Sequence, residues 1–71
     1  MRETVTVTVK SSNVDYILVI DDISSIEPYF YEGEVKKGSL IIMTNGREIW
    51  SPLTVFETWH RVRNKIPITE S

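Results

Sequence analysis

The run Ser39-Leu40-Ile41-Ile42-Met43-Thr44-Asn45-Gly46-Arg47-Glu48-Ile49-Trp50 decides the fold. Two strand-like stretches flank Asn45-Gly46, and Asn-Gly is a strong hairpin signal because both central residues of a type I′ turn adopt positive φ. The reading predicts strands over 39–44 and 47–51 joined by a two-residue loop. It supplies architecture and no chemistry.

Downstream, Pro52 cannot donate to a ladder and ends the second of these strands. Two helix starts compete. Ser51 before Pro52 fits a cap with proline at the first helical position, whereas Thr54-Val55-Phe56-Glu57 is a capping box in which Thr54 accepts from the amide of Glu57. The capping box is preferred. It gives a helix from Thr54 to about Ile66 with Val55, Trp59, Val62 and Ile66 on one apolar face. His60, Arg61, Arg63 and Lys65 then lie near the helix C-terminus, where positive charge complements the dipole. Pro67 stops the helix, and residues 67–71 are expected to fray.

Upstream, Thr4-Val5-Thr6-Val7-Thr8-Val9 alternates with period two and is entirely β-branched, which predicts a strand with its valines facing the core. Lys10 to Asn13 is a polar break. Val14 to Ile20 is nearly all apolar and is expected to form a central strand. Asp21-Asp22-Ile23-Ser24 turns the chain, and a further strand is expected from about Ser25 to Tyr31, lying at an edge or breaking at Pro28, which cannot donate. Glu32 to Gly38 is a charged connector, expected to be the most mobile part of the chain.

The resulting fold class is α+β: about five mainly antiparallel strands in a twisted sheet or partial barrel, covered by one C-terminal amphipathic helix. The expected core is Val5, Val7, Val9, Ile17, Val19, Ile26, Leu40, Ile42, Ile49, Val55, Trp59, Val62 and Ile66. At 71 residues, 1–71 make a single small domain. Such a chain buries only about 60% of its unfolded surface, so its stability margin is thin. With no cysteine, disulfides and thiolate zinc sites are excluded. Self-association into a homo-oligomer is the remaining support, expected through the first and third strands.

Net charge is −2 with pI near 5.2. Residues 1–34 carry −5 and residues 35–71 carry +3. The balance disfavours a nucleic-acid binder, which needs clustered Lys and Arg, although the basic half keeps that reading open. No signal peptide is apparent, and the longest apolar run, Tyr16 to Ile20, is far short of a membrane span. The chain is read as soluble and cytoplasmic.

Few residues offer chemistry. Asp21, Asp22 and Glu27 form the tightest acidic cluster, but their spacing matches no EF-hand loop and solvated turn carboxylates are the simpler reading. His60 has neither a nucleophile nor a second base in its motif, so it is read as a surface histidine and no catalytic residue, metal or cofactor is expected. In Tyr29-Phe30-Tyr31, alternation puts the tyrosines on one face and Phe30 on the other. Either the tyrosines face outward as contact residues, or they pack inward and Phe30 is exposed. Tyr29, Tyr31, Trp50, Arg61 and Arg63 are the candidate interface residues.

The order Asp21-Asp22-Ile23-Ser24-Ser25-Ile26-Glu27, an apolar strand, Thr44-Asn45-Gly46-Arg47-Glu48 and the cap Thr54-Val55-Phe56-Glu57 resembles the small flagellar-operon proteins called FlbD. It is also similar to short phage and bacterial proteins of unknown function. The resemblance covers about residues 14–66 and rests on turns, caps and core positions. It departs from that family in lacking the early Leu-Asn-Gly hairpin, where Lys10 to Asn13 stands instead, in a longer charged connector at Glu32 to Gly38, and in Phe56 where an exposed polar residue is usual. What it implies is layout, not flagellar regulation. The function expected is that of a small non-enzymatic protein-binding or assembly module, with a nucleic-acid-binding regulator as the alternative.

Overall fold

The computed structural model describes residues 2–9, 13–29 and 38–69. The elements run β1 (Thr4–Val9), β2 (Val14–Val19), a 3₁₀ turn (Ile20–Asp22), β3 (Ile23–Pro28), β4 (Ser39–Met43), β5 (Glu48–Ser51), α1 (Val55–Arg63) and β6 (Ile68–Thr69). The α+β class and the mainly antiparallel pairing are those expected. Among the described residues the strands divide into two three-stranded sheets, ordered β2-β1-β6 and β3-β4-β5, and no barrel closes. The core lies where the sheets and helix meet, built from Val5, Val7, Val9, Leu18, Ile41, Met43, Ile49, Val62 and Ile68.

β1 is the middle strand of the first sheet. Its valines are buried and its threonines face away, as strand alternation requires. β2 pairs with it antiparallel, Val5 opposite Leu18 and Val7 opposite Tyr16. β2 is therefore an edge strand and not the central one expected. Ile17, expected in the core, is 72% exposed, and Leu18 takes the inward position. The other side of β1 is covered by β6, parallel, with Ile68 opposite Val7. The expected frayed tail thus contains a strand whose Ile68 is completely buried. Burying a side chain of that size contributes about 1.5–3 kcal/mol, enough to hold a short terminal strand.

The hairpin exists, with a different loop. Gly46 N–H donates to the Met43 carbonyl at 2.9 Å and Met43 N–H to the Arg47 carbonyl at 2.8 Å, which makes a three-residue loop, Thr44 to Gly46. Gly46 alone has positive φ, at 87°, as in a type I turn closed by a glycine bulge. Asn45 Oδ1 accepts from Arg47 N–H at 2.9 Å and stiffens the turn. The extra loop residue shifts the register by one, so Ile41 lies opposite Ile49. Such a slip turns a strand over. Ile41 and Met43 are buried in place of the expected Leu40 and Ile42, which are only partly buried.

β3 spans Ile23–Pro28, starting two residues earlier than expected, with an irregularity between Ile23 and Ser25, and among the described strands it lies at an edge, one of the two outcomes Pro28 suggested; residues 30 and 31 of the expected strand lie outside the described residues. The helix begins as the capping box predicts: Thr54 Oγ1 accepts from Glu57 N–H at 3.2 Å. It ends three residues early. Lys65 takes a left-handed φ of 57°, its N–H donates to the Val62 carbonyl and Ile66 N–H donates to the Arg61 carbonyl. These are the two bonds of a Schellman cap, which leaves Ile66 outside the helix and exposed rather than in the core. Trp59, also expected in the core, is 48% exposed; Thr58 and Val62 are the helix's buried residues. Val19, Ile26 and Val55 are half-buried. The connector residues 32–37 lie outside the described residues.

Candidate functional site

What rotates the helix is a set of hydroxyls. Ser39, Ser51 and Thr58 are all fully buried. The three-residue loop puts Ser39 of β4 directly opposite Ser51 of β5. Thr58 Oγ1 reaches both, at 2.9 Å from Ser39 Oγ and 2.8 Å from Ser51 Oγ. Ser39 donates to the Leu53 carbonyl at 3.0 Å, and Leu53 N–H donates to Ser51 Oγ at 3.3 Å. Thr58 Oγ1 also lies 3.4 Å from the Leu53 carbonyl; with the shorter bond to that carbonyl given to Ser39, Thr58 donates to Ser39 and Ser51 donates to Thr58, an arrangement in which each hydroxyl gives one bond and receives one. A buried network satisfied in this way fixes geometry. Through Thr58 the network ties the helix to both strands of the hairpin. Sequence reasoning passed over these residues because Ser and Thr carry no periodic apolar signal.

With Thr58 and Val62 turned inward, Phe56 and Trp59 are left on the flank beside β3. Phe56 is 75% exposed. The helix flank and β3 enclose an open groove of about 820 Å³, whose walls include Ile23, Ile26, Phe56, Trp59 and Val62. Arg63 is the charged residue of its lining, with its guanidinium 5.0 Å from the centroid of the Trp59 ring. The stack keeps the Trp59 face and the cation together at the rim. One wall of this groove is β3, which has a single neighbouring strand among the described residues and so offers backbone hydrogen-bonding groups as well as apolar surface.

The candidates named from the sequence are scattered. Arg63 lies in the groove. Arg61 is half-buried and donates to the Pro67 carbonyl at 3.1 Å, tying the helix end to the segment before β6. Tyr29 is half-buried and its N–H donates to the Gly38 carbonyl, whereas Phe30 and Tyr31 lie outside the described residues. Trp50 is half-buried on the outer face of the second sheet, opposite Leu40 and against Gly38. A Cβ at Gly38 would stand 2.6 Å from Trp50 Nε1 and 2.7 Å from the Ser51 carbonyl oxygen. Asp22 pairs with Arg2 at 3.4 Å, and Glu27 accepts from Ser25 Oγ at 3.3 Å. Among the described residues, no three His, Asp or Glu side chains gather as a metal site, and no helix is long and apolar enough to cross a membrane.

No family model, curated protein or solved structure matches the chain. The comparisons therefore leave the resemblance to FlbD-like proteins where the sequence put it, and the groove is the functional feature to explain.

Proposed function

We propose that this chain is a small non-enzymatic protein-binding or assembly module that makes its contact through the groove between β3 and α1. The observation that carries this reading is the position of Phe56 and Trp59, two large aromatics exposed side by side along an apolar groove walled by β3, an edge strand among the described residues. Aromatic residues and Arg are enriched in interface cores, and grooves lined by them serve as anchoring pockets. The described cations support a protein partner over a nucleic acid, because they are dispersed and engaged locally. Arg2 pairs with Asp22, Lys65 with Glu3, Arg61 with a carbonyl, and Arg47 and Arg63 lie over the rings of Tyr16 and Trp59. Phosphate binding draws instead on a continuous basic surface.

Selection of short peptides from a random display library against the immobilised chain tests the reading, with the Phe56→Glu chain as comparison. The expected ligands lose at least about tenfold in affinity on Phe56→Glu and hold their affinity across a salt series that would weaken phosphate contacts steeply. Ligands indifferent to Phe56, or DNA oligonucleotides bound with such a salt slope, overturn it.

A further inference from the structure

We infer that the occupant of the groove is a second copy of this chain, paired antiparallel through β3 about a twofold axis at Ile26. The inference rests on the protein-binding reading above and names its partner. It begins with the edge itself. β3 pairs with β4 so that Glu27 faces Leu40 and Ser25 faces Ile42, and Tyr29 N–H donates to the Gly38 carbonyl. Antiparallel ladders alternate hydrogen-bonded with non-hydrogen-bonded pairs. Ser25, Glu27 and Tyr29 therefore direct their backbone groups to β4, and Ile26 directs its N–H and C=O to the other edge, which has no neighbouring strand among the described residues. The next outward position is Pro28, which has no N–H, and the irregularity between Ile23 and Ser25 interrupts the ladder on the other side. The usable edge is short and centred on Ile26.

That short edge is complementary to itself. With Ile26 opposite the same residue of the second copy, two backbone bonds form and Ser25 falls opposite Glu27 of the second copy. Ser25 Oγ donates to Glu27 Oε2 within one chain, and across the twofold the same hydroxyl can donate to Glu27 of the second copy in place of that bond, while the carboxylates do not face each other. Moving the axis to Glu27 would set that carboxylate against itself and call on Pro28 for a missing donor. Ile26 is thus the favoured centre, and Pro28 and the irregularity keep the pairing from extending.

The helices fit the same operator. A twofold normal to the sheet joins the two β3-β4-β5 sheets into one of six strands, with both helices on one face, antiparallel and side by side. Their facing flanks carry Phe56 and Trp59, the surface a single chain leaves in water. Arg63 lies two turns from Phe56, about 10 Å along the helix. In the antiparallel pair each Arg63 points toward the Phe56 end of the other helix, which separates the cations and gives each an aromatic neighbour. A chain this small without a disulfide gains most from such a partner.

The absence of cysteine makes a register-specific test clean. In this dimer Ser25 and Glu27 of the second copy are a non-hydrogen-bonded cross-strand pair, about 4.5 Å apart at Cα, which a disulfide spans. Oxidation of the Ser25→Cys/Glu27→Cys double variant is expected to give mostly covalent dimer, while Ser25→Cys alone and Glu27→Cys alone give little. Introducing Phe56→Glu into the double variant is expected to suppress the cross-link and, in sedimentation equilibrium of the cysteine-free chain, to convert a dimer into an 8.2 kDa monomer. Thermal melts of Phe56→Glu verify that this exposed substitution leaves the fold intact. Equal cross-linking by the single variants, or a monomer at about 1 mM protein, where mass action favours association, overturns the inference. A monomer whose groove still takes the selected peptides overturns the second copy alone. A monomer that takes none overturns the protein-binding reading with it.

Discussion

Ser51 Oγ lies 2.8 Å from Thr58 Oγ1, and neither side chain reaches solvent. This contact, repeated at Ser39, sets how the helix is turned about its axis and thereby which aromatics are left outside. Thr58→Val keeps the shape and removes the hydroxyl that links the two serines. Leaving buried hydroxyls short of a partner costs about 1–3 kcal/mol, whereas removing all three hydroxyls together leaves only the Leu53 N–H and carbonyl without these partners. Urea denaturation is expected to show Thr58→Val destabilised in that range and the Ser39→Ala/Ser51→Ala/Thr58→Val triple variant less destabilised than the three single losses added together.

Val62 and Trp59 exchange the roles their sizes suggest. Val62→Ala opens a hole in the core cluster and is expected to lower stability by about 1–3 kcal/mol, while Trp59→Ala removes a half-exposed ring at lower cost. Thermal melts in which Trp59→Ala unfolds the chain and Val62→Ala is tolerated would reverse the assigned helix face.

The two described glycines differ in why they are glycine. At Gly46 an added Cβ meets nothing within 4 Å, and only the φ of 87° resists it, so Gly46→Ala should cost about 1–2 kcal/mol. At Gly38 the added carbon would stand 2.7 Å from the backbone oxygen of Ser51. That oxygen moves only if β5 moves, so Gly38→Ala is expected to be the more damaging of the two in parallel melts.

Lys65 holds a left-handed conformation at the Schellman cap, where glycine is at ease. Lys65→Gly is expected to stabilise the chain by about 0.5–1 kcal/mol, reduced by loss of the exposed ion pair to Glu3. A lower melting temperature for Lys65→Gly at high salt, where that ion pair is screened, would contradict the cap.

Ile68 and Ile17 make the sharpest contrast. Ile68→Ala removes methylenes packed against Val7 and is expected to cost about 2–5 kcal/mol, whereas Ile17→Ala on the outer face of β2 should stay within about 0.5 kcal/mol. Chemical denaturation of the two variants side by side measures the difference.

The elements set by their own neighbours in the chain were legible in the sequence. The Thr/Val alternation of β1, the Thr54 cap and the limit Pro28 sets on its strand depend on local backbone chemistry and were read from it. So was the existence of the 44–46 turn, but not its length: a two-residue and a three-residue loop both suit Asn45-Gly46, and the difference of one residue decides whether Leu40 or Ile41 enters the core. Tertiary packing made that choice, because the longer loop faces Ile41 with Ile49 and sets Ser39 against Ser51 for Thr58 to join. Packing likewise recruited Ile68 beside Val7, which no local signal marks, and so placed β2 at an edge. The groove followed from both. Apolar periodicity sends Trp59 inward, but three buried hydroxyls with no apolar signature outweigh it, and a network of satisfied hydrogen bonds is visible only once the strands that carry it are in register.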